Sequence, residues 1–134
     1  IFSFGAGTGA LGLPGDVTPP SRFIRAFYYL NTMKPANTSL EGIQEAFHIL
    51  NNFDIPIGAE YPSEYKKDIP DNLLTATQWT SVCSLNDKEI YYKTMSNSQI
   101  RKIDLKKIDF SKTKYQILPL DKSFEESISE IDIK

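Results

Sequence analysis

The sequence is poor in the residue types that usually mark a chemical site. Its 134 residues include one cysteine, one histidine and one tryptophan, and the formal net charge is only −2. A lone cysteine cannot form an internal disulfide, so the redox compartment stays open. A lone histidine without a second ligand at metal-binding spacing predicts no metal site. The nearly balanced charge gives no reason to expect nucleic acid or an anionic membrane surface as a partner.

Long apolar runs are also missing, although 40% of the residues are hydrophobic. No run approaches the length of a transmembrane helix, and the chain length is that of one globular domain. The chain begins with Ile-Phe-Ser-Phe, which reads as the interior of a β-strand. We therefore expect the chain to be part of a longer polypeptide. We also expect it to expose a substantial apolar face when it is considered alone, and so to aggregate or oligomerise.

A glycine-rich segment follows this apolar start. Residues 7–12 match the dinucleotide-binding pattern G-x-G-x-x-G. That pattern requires a helix that opens directly after the glycines, whereas Pro14 and Gly15 interrupt the chain at once. A closely packed or mobile glycine loop explains the residues better, and we expect no cofactor.

The stretch GLPGDVTPPSRFIR combines a tight turn with the start of a helix. Pro14 and Gly15 are a strong turn signal, and Asp16 can accept a hydrogen bond from the backbone just beyond it. Thr18 is a suitable N-cap, and Pro19 fits the first helical position. A helix is therefore predicted over 19–31.

Arg22 is the unusual residue of this helix. It lies in the first turn, where the helix dipole favours anions and opposes a cation. Either it is a solvated surface arginine, or it points at an anionic or nucleophilic group that accounts for its position. Arg25 lies one turn further on, where the sequence gives it no comparable role.

The rest of the chain predicts one more helix and an antiparallel sheet. Thr38 and Glu41 form a capping box for a helix over 39–52. Apolar residues at helical spacing predict that both helices pack inward; these residues are Phe23, Ile24, Phe27 and Leu30 in the first helix, and Leu40, Ile43, Phe47 and Leu50 in the second. The period then changes to two, which predicts strands over 75–84, 88–95 and 99–105, with a possible edge strand over 115–120. A polar loop over 59–72 separates the two parts, and the acidic residues 121–134 are expected to fray.

Neither of the remaining reactive side chains is a strong catalytic candidate. His48 lies beside the apolar stripe of the second helix, where a packed or partly exposed histidine is the simplest interpretation. Cys83 falls inside the first strand without a helix start or a nearby cation to lower the pKa of its thiol, so a buried structural thiol is expected.

Six segments, in this order and spacing, resemble the C-terminal part of the choloylglycine hydrolases, the family of bile salt hydrolases and penicillin V acylases. They are GLPGD (12–16), SRFIR (21–25), FHILN (47–51), QWTS (78–81), YY (91–92) and NSQI (97–100). The resemblance runs from about residue 4 to residue 105, and GLPGD followed by SRF is its most specific part.

The resemblance implies an α+β fold, namely the C-terminal part of the αββα sandwich of N-terminal nucleophile hydrolases. It also implies hydrolysis of a linear amide, such as a conjugated bile salt, penicillin V or an N-acyl homoserine lactone, by an N-terminal cysteine. Arg22 matches the active-site arginine of the family's SRF motif. Residue 1 is isoleucine, so the nucleophile is absent here and the chain alone is expected to be inactive.

The partners that the resemblance implies are the N-terminal section of the same protein and further copies of it in a homotetramer. The alternative is a non-catalytic relative, or a small binding or assembly module. The residues that precede Ile1 in the coding sequence would discriminate these hypotheses.

Overall fold

The computed structural model describes residues 10–59 and 76–133. The described elements are two α-helices and three β-strands: α1 (Pro19–Thr32), α2 (Ser39–Asn51), β1 (Trp79–Ser84), β2 (Glu89–Thr94) and β3 (Asn97–Asp104). A single 3₁₀ turn, Leu105–Lys107, follows β3. The predicted α+β class and the predicted order of helices and strands are confirmed. The glycines up to Gly9, the loop over 60–72 and Thr75 lie outside the described residues. The first strand begins at Trp79, later than predicted, since the described residues 76–78 are not in a strand.

The start of α2 is a capping box, as predicted. Thr38 Oγ1 accepts a hydrogen bond from the Glu41 amide at 3.2 Å. The Glu41 carboxylate in turn accepts from the backbone N–H of Asn37 at 2.7 Å. The return bond thus reaches one residue further back than the usual N-cap amide. Two amides at the start of the helix obtain partners in this way.

The three strands form an antiparallel meander in the order β1-β2-β3. Trp79 pairs with Thr94 and Ser84 with Glu89 in the first hairpin. The second hairpin pairs Glu89 with Asp104 and contains an irregularity between Tyr92 and Thr94. β3 begins two residues earlier than predicted because its turn is shorter, and Leu105 belongs to the 3₁₀ turn rather than to the strand.

One of the two helices packs on the first strand. α2 packs against β1, and α1 packs against α2. The buried apolar residues among those described are Ile43 and Phe47, both on α2 and only 6% and 4% exposed. The prediction that an apolar stripe of α2 faces the sheet is thus confirmed at these two positions, whereas Leu40 is exposed.

The apolar stripe of α1 does not pack inward, which corrects the prediction for this helix. Phe23, Phe27 and Leu30 are 70%, 60% and 63% exposed, and Ile24 is exposed as well. The rings of Phe23 and Phe27 stack on each other with centroids 6.4 Å apart. Among the described elements α2 packs against β1 and α1 packs against α2, and these contacts leave the stripe of α1 uncovered. The expected exposed apolar face is therefore present.

Two further expectations are wrong. Residues 115–120 form no strand. This segment instead leads onto a face of the sheet, where Tyr92 donates a hydrogen bond to the Leu120 carbonyl and Arg101 pairs with Asp121. Cys83 is exposed rather than buried, because side chains alternate between the two faces of β1 and that of Cys83 lies on the exposed face.

In the ranges 10–59 and 76–133, no helix has both the length and the apolar character needed to cross a membrane. The same ranges contain no group of three or more His, Cys, Asp or Glu residues arranged to hold a metal ion.

Candidate active-site cleft

The turn that precedes α1 is fixed by the side chain of Asp16. Its carboxylate accepts hydrogen bonds from the Thr18 amide at 2.9 Å and from the Ser21 hydroxyl at 2.6 Å. These bonds, that of Ser21 foremost, lower the pKa of Asp16 to about 2, since they favour the charged carboxylate. Gly12 starts the turn with φ +89°, a conformation that glycine adopts without strain.

Thr18 occupies the predicted N-cap position, but its side chain makes no hydrogen bond to the helix backbone. Its hydroxyl donates instead to Ser21 Oγ at 3.2 Å. Asp16, two residues earlier, accepts from the Thr18 amide. Ser21 is the buried member of this group, at 6% exposure. The residue immediately before Arg22 is therefore held firmly.

Arg25 holds the same turn from the other side. One of its terminal nitrogens, Nη1, donates to the backbone carbonyls of Pro14 and Asp16, in both cases at 2.8 Å. Its guanidinium carbon lies 5.3 Å from the centre of the Phe53 ring, just beyond α2. Arg25 thus connects the turn, α1 and the end of α2.

Arg22 differs from Arg25 because its side chain has no such contacts. Within the described residues no hydrogen bond or ion pair involves its guanidinium, although the residue is half-buried. It lines a cleft of about 260 Å³ between the first turn of α1, the end of α2 and the beginning of β1, the Arg22 cleft. The lining residues are Arg22, Leu50, Phe53, Asp54, Thr77, Trp79, Thr80 and Ser81.

The carboxylate that lines this cleft has another cation as its partner. Asp54 forms an ion pair with Lys93 at 2.8 Å and accepts a longer bond from Thr80 at 3.4 Å. Thr77 Oγ1 is also engaged, since it accepts from the Ile55 amide at 2.9 Å. The cleft therefore contains a positive group without a neutralising partner among the described residues. Such a group can stabilise a thiolate or an oxyanion.

The structure brings together two of the segments singled out in the sequence. Arg22 of the SRFIR segment and residues 79–81 of the QWTS segment line the same cleft. His48 is exposed and does not line it. Cys83 lines a different cavity, of about 480 Å³, together with apolar residues such as Leu85 and Phe110.

The roles of Ser21, Arg25 and Asp54 were not predicted from the sequence. The contacts of Arg25 join residues 9 and 11 positions apart, and the Asp54–Lys93 pair joins residues 39 positions apart. No local pattern indicates such pairs. For Ser21, the short spacing of five residues to Asp16 is the one signal that could have indicated the bond.

The chain matches the model of the linear amide C–N hydrolases, choloylglycine hydrolase family, over residues 1–118. It belongs to this family. It is 40% identical over 107 residues to the bile salt hydrolase/transferase of Clostridium perfringens, an alignment that covers 80% of this chain and 30% of that protein.

Two solved structures show the corresponding similarity in three dimensions. A variant of the conjugated bile acid hydrolase from Clostridium perfringens superposes with a TM-score of 0.71 at 32% identity, covering 97% of this chain and 37% of that one. Penicillin V acylase from Agrobacterium tumefaciens gives a TM-score of 0.59 at 27% identity, covering 75% and 30%. The chain thus spans about a third of the length of the relatives that it matches.

Proposed function

We propose that this chain is the C-terminal section of a linear amide hydrolase, and that Arg22 acts beside a cysteine nucleophile supplied by a preceding section. The observation that carries the proposal is the half-buried residue Arg22, which lines a cleft and whose guanidinium has no partner among the described residues. The family match over residues 1–118 supports the reaction class. The limited coverage of the relatives supports the assignment as one section of a longer enzyme.

The chemistry needs a deprotonated thiol. In the proposed reaction, the free α-amino group of an N-terminal cysteine takes the thiol proton, and the thiolate adds to the amide carbonyl. The tetrahedral oxyanion then collapses, the amine leaves with the proton, and water hydrolyses the resulting thioester. Arg22 supplies a permanent positive charge that favours the thiolate over the thiol.

Cys83 does not take the role of the nucleophile. It lies within β1, so its amino group is part of a peptide bond, and it does not line the Arg22 cleft. The proposed nucleophile therefore precedes this chain. The proposed substrates are linear amides such as conjugated bile salts, penicillin V or N-acyl homoserine lactones, and the proposed partners are the N-terminal section and further copies in a tetramer.

The test is a comparison of charge variants in the full-length enzyme. We expect Arg22→Ala to lower kcat/KM for amide hydrolysis by roughly 10²-fold or more, since it removes a group that stabilises charge at the reacting atoms. Arg22→Lys should recover only part of this loss, because an ammonium is a point charge without the planar fork. Amine release from glycine-conjugated bile salts and from penicillin V is the measurement, combined with thermal melts.

Lys34→Ala is the matched control. Lys34 is exposed just beyond the end of the same helix, and no hydrogen bond or ion pair in the described part of the chain involves its side chain. The substitution removes one positive charge at a residue that does not line the cleft, so activity should stay near that of the wild type. Equal activity in the Arg22→Ala and Lys34→Ala enzymes would refute the role of Arg22, whereas a wild-type protein without amide hydrolysis would favour a non-catalytic binding module.

A further inference from the structure

Arg25 makes several specific contacts, unlike a solvated surface arginine. Its Nη1 donates to two backbone carbonyls of the preceding turn, those of Pro14 and Asp16, at 2.8 Å each. Hydrogen bonds from a charged donor are among the stronger ones in proteins. They fix the spacing between this turn and the second turn of α1.

The same guanidinium also reaches the end of α2. It lies over the ring of Phe53 at 5.3 Å, within the range of a cation–π interaction. Phe53 is one of the residues that line the Arg22 cleft. Arg25 therefore contacts a residue that lines the cleft without lining the cleft itself, whereas Arg22 lines it directly.

The backbone that precedes Arg22 is held by Ser21, through the same turn residue that Arg25 contacts. Ser21 is buried and donates to the Asp16 carboxylate at 2.6 Å. Asp16 is also the residue whose carbonyl accepts from Arg25. Asp16 thus accepts hydrogen bonds from Thr18 and Ser21, which precede Arg22, and from Arg25, which follows it, and these bonds fix the first turn of α1.

We propose that Arg25 is a positioning residue of the Arg22 cleft: by holding the Pro14–Asp16 turn and the Phe53 ring, it fixes where the Arg22 side chain projects. As a statement about catalysis, this inference rests on the proposed function. It goes beyond the expectation from sequence, in which Arg25 had no role at the site. A misplacement of about 1 Å can cost on the order of 10²-fold in rate, so the effect is measurable.

Lysine cannot replace Arg25 in this arrangement. Its ammonium is a compact, strongly hydrated point charge, whereas the planar guanidinium stacks on an aromatic ring and still donates from its edge. Arg25→Lys therefore keeps the charge and much of the stability but loses the simultaneous contacts. This variant separates positioning from a purely electrostatic role.

The test uses Arg25→Lys and Arg25→Ala in two arms. In the full-length enzyme, we expect both variants to lower kcat by roughly 10-fold or more with a smaller change in KM, at temperatures well below their melting points. A purely structural role predicts an unchanged kcat per folded enzyme, and that result would overturn the proposal.

The second arm needs no activity and again uses the full-length protein. Hydrogen exchange of the Arg22 amide, which donates to the Thr18 carbonyl at 3.0 Å, reports the order of the first turn of α1. We expect faster exchange at Arg22 in both variants, with the Gly42 amide of α2 unchanged as the internal reference. Equal acceleration at Arg22 and Gly42, or none at Arg22, would overturn the positioning role. Absence of amide hydrolysis in the wild-type protein would instead refute the proposed function. The exchange rates of the Arg22 and Gly42 amides would then still test whether Arg25 positions the first turn of α1.

Discussion

The helical region (residues 10–59) and the sheet region (residues 76–133) use their positive charges differently. On the sheet, Lys93, Arg101 and Lys102 each have a carboxylate partner, in Asp54, Asp121 and Glu89 respectively. In the helical region, Arg25 donates to backbone carbonyls, and Arg22 has no partner within the described residues. Lys34 is unpaired as well but exposed, so Arg22 is the unpaired cation of the described helical region that is half-buried and lines a cleft.

The two helices show a similar contrast in their apolar residues. Both carry an apolar stripe, but α2 buries Ile43 and Phe47 whereas α1 exposes Phe23 and Phe27. The periodicity of a helix indicates that one face is apolar, and the neighbouring elements decide what covers it. α2 packs against β1, whereas among the described elements α1 packs chiefly against α2.

The largest effect that this contrast predicts concerns two phenylalanines. Phe47→Ala removes a ring that is 4% exposed, and we expect a loss of about 3–5 kcal/mol in the free energy of unfolding. Phe27→Ala removes a ring that is 60% exposed, and its effect should stay within about 0.5 kcal/mol. Urea denaturation of the two variants measures both values.

A milder substitution at the same buried site keeps the comparison measurable if the Phe47→Ala variant does not fold. Ile43→Val deletes one buried methylene next to Phe47 on the same helix, and should cost about 0.5–1.5 kcal/mol. Equal losses for Phe27→Ala and Phe47→Ala would mean that the exposed stripe of α1 is covered, and the contrast between the helices would fail.

A smaller effect distinguishes the two N-caps. Thr38 accepts a hydrogen bond from the Glu41 amide, whereas the Thr18 side chain makes no bond to the backbone of α1. We expect Thr38→Ala to destabilise the chain by about 1 kcal/mol and Thr18→Ala by clearly less. The same denaturation experiment compares them, and a larger loss for Thr18→Ala would contradict the observed cap geometry.

Much of the fold could be predicted because its signals are local. The capping box at Thr38, the proline at position 19 and the change of period before β1 each depend on neighbours within four residues. The failures concern contacts across the chain. Nothing near Cys83 shows that its side chain lies on the exposed face of β1, and the run over 115–120 carries a strand-like composition without an available partner strand.

The site was predicted in part for the same reason. Arg22 stands out locally, because a cation in the first turn of a helix opposes the dipole. Its neighbours in the cleft come from the end of α2 and from β1, at distances that no spacing rule covers. The ion pair between Asp54 and Lys93, for example, can be recognised only once the helices and the sheet are placed together.

The most direct measurement of the role of Arg22 is the pH dependence of thiol alkylation in the full-length enzyme. The background should be Cys83→Ser, since Cys83 is exposed and would react as well. If Arg22 lies beside the N-terminal cysteine, Arg22→Ala should move the iodoacetamide reactivity profile upward by about one pH unit or more, while Lys34→Ala leaves it in place. Superimposable profiles for the wild type and Arg22→Ala would contradict the assignment of Arg22 to the active site.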